Sequence, residues 1–424
     1  MILLYLPMHL LPRLFLTLKN RLREQMKKCF KRIAIIGSAT FLLAGCSIFS
    51  SEDDVVVMAE LPVFESSYQP QIAWQNSIGD GVDKYYSQLQ PAVDLQRVYV
   101  ASRDGQLKAF QLDSGKLIWS NDFSDDPSNE LNRSARFSGG IALATDTLFI
   151  GTENAQLLAF DKSNGKLKWL ANVTGEIIAQ PVYGEGKVVV HTSRGDLIAL
   201  DADTGKELWT LTNKQPKLTL RGSATPSISQ GGIVYGRADG FVAVALLADG
   251  RPLWQLPVAR PHGATELDRL VDVDMQPIIN NGIVYTLAYN GNLIAIDLLK
   301  GEQLWSRKYA GFSDIALSGN TLYLSDYRGY VFAVDKKSGT ELWVNDQLAY
   351  RNVTGVTVAN EYIVVGDGEG YLHWLNRDDG SFVAQQYLDS DGLYMQPIAT
   401  RSHLYLQTRS GKLIAIEKPS LNVE

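Results

Sequence analysis

The sequence predicts an all-β fold: an eight-bladed β-propeller of four-stranded antiparallel blades, closed by an N-terminal strand that joins the C-terminal blade. Three observations carry this. A hairpin-like stretch, typified by DLIALDADTGKELWT (196–210), recurs eight times along the 424 residues. The Trp residues from Trp74 to Trp343 are spaced 45, 50, 40, 45, 51 and 38 residues apart, the length of a four-stranded unit. The eighth copy, RSGKLIAIEKPS, ends without an outer strand, while Ile72–Gly79 carries Trp74 with no hairpin before it.

In chain order, the first element is an address. From Met26 the sequence reads MKKCFKRIAIIGSATFLLAGC, with Lys27, Lys28, Lys31 and Arg32 ahead of the 12-residue apolar stretch 33–44. This is a secretory signal, too short to span a bilayer. Leu43-Ala44-Gly45-Cys46 resembles the lipobox of bacterial lipoproteins, which implies lipidation of Cys46. Ser47 follows; the Asp that marks inner-membrane retention in such lipoproteins is absent, which implies outer-membrane sorting with the body on the periplasmic side. Residues 1–25 fit no signal pattern, so Met26 is expected to be the true start and 1–45 to hold the signal region. Residues 46–70 then read as a flexible tether, with the propeller at 71–418 and a short tail at 419–424.

Each position of the repeat has a structural reason. Asp196–Asp201 reads as a strand and 206–210 as its antiparallel partner. Between them, Asp and Thr can bond the local backbone and Gly205 can take positive φ. Gln180–Gly184 and Lys187–Ser193, joined by Glu185-Gly186, supply the other two strands of that unit. Where both are present, the Gly and the Trp stand 14 residues apart, as in Gly105 to Trp119 and Gly195 to Trp209. The second copy has Ala155 in place of the Gly, and the seventh has Ala384 in place of the Trp.

Composition narrows the function. The first 45 residues carry eight Lys/Arg and one acid, leaving 32 basic and 45 acidic residues, net −13, in the remainder. A body that acidic repels phosphate backbones, so no nucleic-acid partner is expected. Cys29 and Cys46 both precede the propeller, which therefore has no thiol nucleophile and no thiolate metal site. His9, His191, His262, His373 and His403 show no zinc spacing. GDGEG (366–370) lacks the Lys-Ser/Thr of a phosphate loop and reads as a turn between strands.

The pattern Ala-x-Asp-x-x-Thr-Gly-x-x-x-Trp resembles the PQQ-type repeat of quinoprotein alcohol dehydrogenases and their non-enzymatic relatives. The resemblance implies that the Trp packs between blades. The dehydrogenases' cofactor site has an adjacent Cys pair, which the propeller here lacks, so no cofactor and no enzymatic activity are expected.

Function should sit where the copies differ. Several repeats begin their first strand with a Pro, at 91, 181, 226, 277 and 397. Arg221 and Asp272 each stand five residues before that Pro, in successive repeats, within LTLRGSATP and GATELDRLVDVDMQP. They should share one rim corner, with Leu218, Leu220 and Asp274 nearby, as an inter-blade salt bridge or a partner-binding patch. These segments, with the lipobox, LAYNGNLIAID and VVGDGEGYLHWLNRDDGSFVAQQ, resemble the BamB family of outer-membrane lipoproteins over essentially the whole mature chain. The resemblance implies a scaffold in the BAM complex that binds the periplasmic part of BamA and assists folding and insertion of β-barrel proteins. It implies contact through Leu218, Leu220, Arg221, Asp272 and Asp274; on physical grounds the alternative for the two Asp is to orient Arg221 rather than touch the partner. Unfolded outer-membrane proteins would be further partners, and the membrane would be reached only through the lipid. A quinoprotein dehydrogenase and a propeller binding module with another partner are the alternatives.

Overall fold

The computed structural model describes residues 57–124 and 134–419. The expected signal region, Met26, Cys46 and Ser47 lie outside the described residues, as do 125–133 and 420–424. Among the described residues every regular element is a β-strand, and the strands form eight four-stranded antiparallel sheets. In chain order, blade I covers 92–122, II 137–172, III 182–212, IV 227–257, V 278–307, VI 316–345 and VII 357–387. Blade VIII joins three strands within 398–417 to Ile72–Ser77, which pairs antiparallel with Lys412–Glu417 so that Trp74 faces Ala415. The ring closes as the sequence predicts, and each end of the propeller is tied to the other.

The repeat explains the local geometry. Leu197, Ile198, Ala199 and Leu200 are all buried, because both faces of an inner strand are covered by neighbouring blades. The strand ends at Asp201, whose Oδ1 accepts the Thr204 N–H at 2.9 Å and the Thr204 hydroxyl at 2.6 Å. The Gly205 N–H closes the turn onto the Asp201 carbonyl at 2.9 Å, with φ +70°, where a side chain would be strained. The partner strand is Glu207–Thr212, one residue later than the sequence suggests. Glu185-Gly186 joins the first and second strands of blade III with φ +51° and +71°, the positive pair of a type I′ turn.

The Trp residues sit at the blade junctions. Each of seven indole N–H groups donates to a carbonyl just past the third strand of the next blade: Trp74 to Leu112, Trp119 to Lys162, Trp169 to Ala202, Trp209 to Leu247, Trp254 to Leu298, Trp305 to Lys336 and Trp343 to Arg377, at 2.9–3.3 Å. The indole also lies on the turn Gly of that blade; a Cβ on Gly205 would stand 2.6 Å from the Trp169 ring. Across its own sheet the Trp faces an Ala in six of these seven blades, such as Ala199 for Trp209 and Ala333 for Trp343, and Val244 stands opposite Trp254. Blade VII inverts this pair: Trp374 is on the third strand and faces Ala384 on the fourth. The large and small partners have exchanged strands, which keeps the pair's volume.

Antiparallel order puts the turn between second and third strands, and the link to the next blade, on one face of the ring, here the connection face. The other two turns of each blade lie on the opposite, hairpin face. Within the expected tether, residues 57–70 belong to the body: the Ala59 N–H donates to Ala349, and the Ser67 and Tyr68 N–H groups donate to Val383. Apolar residues within this segment, among them buried Pro62, give it a surface to bury, so residues 59–70 pack on the body ahead of the first blade strand.

Candidate partner-binding rim

The five singled-out residues lie on two links of the connection face, 213–226 between blades III and IV and 258–277 between IV and V. Arg221 and Asp272, in equal register before Pro226 and Pro277, do come to one corner. The Leu220 N–H donates to Asp272 Oδ1 at 2.9 Å, so the second link holds the first by its backbone. An added Cβ on Gly222 would stand 3.0 Å from Asp274 Oδ2 and 3.2 Å from the Tyr86 hydroxyl, which places both against the same loop.

The expected ion pair takes a different form. Arg221 pairs with Glu153 at 3.4 Å and Glu176 at 3.8 Å, toward blades II and III, and Glu153 is gripped by Arg103 through two bonds of 3.0 and 2.6 Å. Asp272 has its Oδ1 committed to the Leu220 amide, and it is buried where charge is costly. Burial raises its carboxyl to about 7 against the opposing effect of the Leu220 N–H. Burial and the Asp272 charge push Asp274 well above the usual range. Burial also raises Glu176, with the Arg221 guanidinium opposing it.

Exposure separates the five residues into two roles. Leu218 is 40% exposed and the Arg221 side chain 31%, with Leu220 half-buried between them. Asp272 and Asp274 are buried beneath the loop. The surface can therefore offer two Leu side chains and a guanidinium to a partner, while the two Asp shape it from below.

Two residues that sequence reasoning missed complete the corner, and the same register would have found them. Counting five back from Pro91 and Pro181 gives Tyr86 and Glu176. Tyr86 is 38% exposed along its ring; its hydroxyl end is enclosed, and burial with the Asp274 charge pushes it up to about 12. It belongs to the link 78–91, which crosses the mouth of the central channel. The Gln88 N–H donates to Ser138 of blade II at 3.0 Å, and Gln88 accepts from Thr225, beside blade IV, at 3.3 Å. Tyr394, beside blade VIII, donates its hydroxyl to the Leu89 carbonyl.

Other places offer little chemistry. GDGEG is a turn between Tyr362–Gly366 and Tyr371–Asn376. Asp367 within it accepts the Glu369 and Tyr371 N–H groups on Oδ1, and Arg351 (2.7 Å) and His373 (3.0 Å) on Oδ2. All three side chains are buried; burial alone would raise the Asp367 carboxyl, and these bonds hold it below the usual range. A cavity of about 500 Å³ beside the inner strands of blades II–V is lined by Gln180, Tyr183, Thr225, Ile228, Gln276 and Ile279 among others, with no carboxylate or His. Among the described residues no group of three or more His, Cys, Asp or Glu could hold a metal ion.

With this geometry in place, known proteins give a consistent picture. The family model described as outer membrane protein assembly factor BamB matches residues 103–345. The outer membrane protein assembly factor BamB of Yersinia pestis is 41% identical over 379 residues, which is 89% of this chain and 96% of that protein. The crystal structure of BamB from Moraxella catarrhalis superposes with a TM-score of 0.74 at 23% identity, over 82% of this chain and all of that one. A europium-containing methanol dehydrogenase shares the fold, with a TM-score of 0.66 at 14% identity over 80% of this chain and 84% of that one. The extent and identity of the sequence match place this chain in the BamB family of outer membrane protein assembly factors.

Proposed function

We propose that the chain is a non-enzymatic scaffold lipoprotein, anchored through Cys46 on the periplasmic side of the outer membrane. It binds the periplasmic part of BamA, and through it the rest of the BAM complex, and so assists folding and insertion of β-barrel proteins. The observation that carries this is the rim corner: Leu218 and the Arg221 side chain reach solvent, with Leu220 half-buried between them, on a loop held by the buried Asp272. Apolar side chains around a positioned Arg are what a protein interface concentrates. The family's printed role in outer-membrane protein assembly agrees with this use.

The structural likeness to a methanol dehydrogenase favours a second reading, that of a quinoprotein enzyme. Against it stand the link 78–91 across the channel mouth and the absence of any cysteine from the propeller. Added quinone and calcium are expected to give neither a spectral change nor alcohol oxidation.

The test of the scaffold reading is pull-down of BamA by Arg221→Glu. Reversing one charge in a patch of this kind is expected to weaken capture by roughly tenfold or more. Capture equal to wild type would dismiss the patch.

A further inference from the structure

Seven blade junctions are closed by an indole N–H, and the junction between blades VII and VIII has Ala384 at that place. Tyr68 supplies the missing bond. Its hydroxyl donates to the carbonyl of Glu417, the last residue of the third strand of blade VIII, at 3.0 Å. Its ring stands edge-on to Trp374 at 5.1 Å and stacks on Tyr362 at 5.6 Å between centroids.

The residues around Tyr68 are held along their whole length. The Ser67 and Tyr68 N–H groups donate to Val383 at 3.0 and 3.3 Å, and Phe64 stacks on Phe382 at 5.4 Å. At the far end Ala59 donates to Ala349 at 2.8 Å, and its own carbonyl accepts from Arg351 at 3.0 Å. Arg351 is in turn fixed by the buried Asp367 and His373 network. The segment therefore runs from the hairpin face, at Glu417, along blade VII to the connection face, at the link between blades VI and VII.

We propose that residues 59–71 are a permanent strap of the ring, with Tyr68 standing in for the absent Trp. The strap fixes where the anchored end leaves the body: on the connection face, the face that carries Arg221. The ten residues between Cys46 and Val57 span at most about 40 Å however they fold. With the strap docked, the chain enters the body on the connection face, and that face is the one expected to lie toward the membrane. A released strap would more than double the tether and let either face approach. The strap itself is independent of the lipoprotein reading; the membrane-facing consequence rests on it.

Two experiments separate the parts. Hydrogen exchange on the full-length body should find the Ala59, Ser67 and Tyr68 amides protected by at least about 100-fold over a free peptide. In Tyr68→Ala that protection should be lost. The double variant Trp374→Ala with Ala384→Trp restores the pattern of the other junctions, so it should fold while Ser67 and Tyr68 lose protection. Unprotected amides in the wild type, or protection unchanged in Tyr68→Ala, would overturn the strap.

For orientation, lipidated protein on phosphatidylethanolamine vesicles would carry a dye at Glu369→Cys or Asp378→Cys, on opposite faces of blade VII, with a headgroup quencher. Stronger quenching at position 369 is expected; equal or reversed quenching would overturn the exit assignment. Failure to bind vesicles at all would refute the lipid anchor and its orientation consequence, and leave the exchange result standing for the strap.

Discussion

Replacing Asp272 by Asn should stabilise the protein, and only where the carboxyl would be charged. The Asp272 carboxyl is raised by burial from 3.8 to about 7, while the unfolded chain titrates near the lower value. A carboxyl whose folded value is raised imposes no cost below pH 4, where both states are protonated. The cost grows as pH rises toward 7, because the unfolded chain ionises and the folded one does not. Above pH 7 both states are charged and the cost is constant, with a ceiling of about 4 kcal/mol. Asn keeps an oxygen to accept the Leu220 N–H and carries no charge. The expected gain is therefore about 2–4 kcal/mol at pH 8 and near zero at pH 4. Urea unfolding of both proteins at a series of pH values would measure it. A difference that does not change with pH, or an Asn variant less stable at pH 8, would refute the argument that a buried charge under the rim is tolerated at a cost.

Two further predictions bear on the ring. Trp209→Ala removes the bond to Leu247 and empties the junction of blades III and IV, which should cost about 3 kcal/mol by urea unfolding. Arg351→Met leaves Asp367 buried without its guanidinium and frees the Ala59 carbonyl. It should cost about 3 kcal/mol or more and open residues 57–70 to protease, where a conservative Arg351→Lys should restore little because Lys lacks the fork.

The ring was legible because its signal is repeated. Most copies place a Gly where positive φ is required and a Trp where the next blade's carbonyl waits, and the exceptions at Ala155 and Ala384 keep the spacing, so the repeat counted the blades. The seventh junction was not legible, because its substitute lies 316 residues away in sequence: Tyr68 has no periodic relation to Ala384. At the rim, the interval to the following Pro brought Arg221 and Asp272 together, and applied throughout it also gives Tyr86 and Glu176. It could not assign the ion pair. Glu153 comes from a turn between second and third strands, outside that register, and the depth at which Asp272 is buried is set by packing that no local pattern encodes.

The shared sheet of blade VIII also governs the order in which this chain can be completed. Ile72–Ser77 is the first propeller strand to leave the ribosome, and its strand partner among the described residues, Lys412–Glu417, comes more than 330 residues later. Until then the strand has an open edge, and blades I to VII form an arc with two raw ends. Closure is thus a late, long-range event, of the kind that slows folding and exposes apolar surface while it waits. A stalled or C-terminally truncated chain would keep that open arc indefinitely. Quality control could recognise it by the unpaired first strand, long before any blade had lost its own fold.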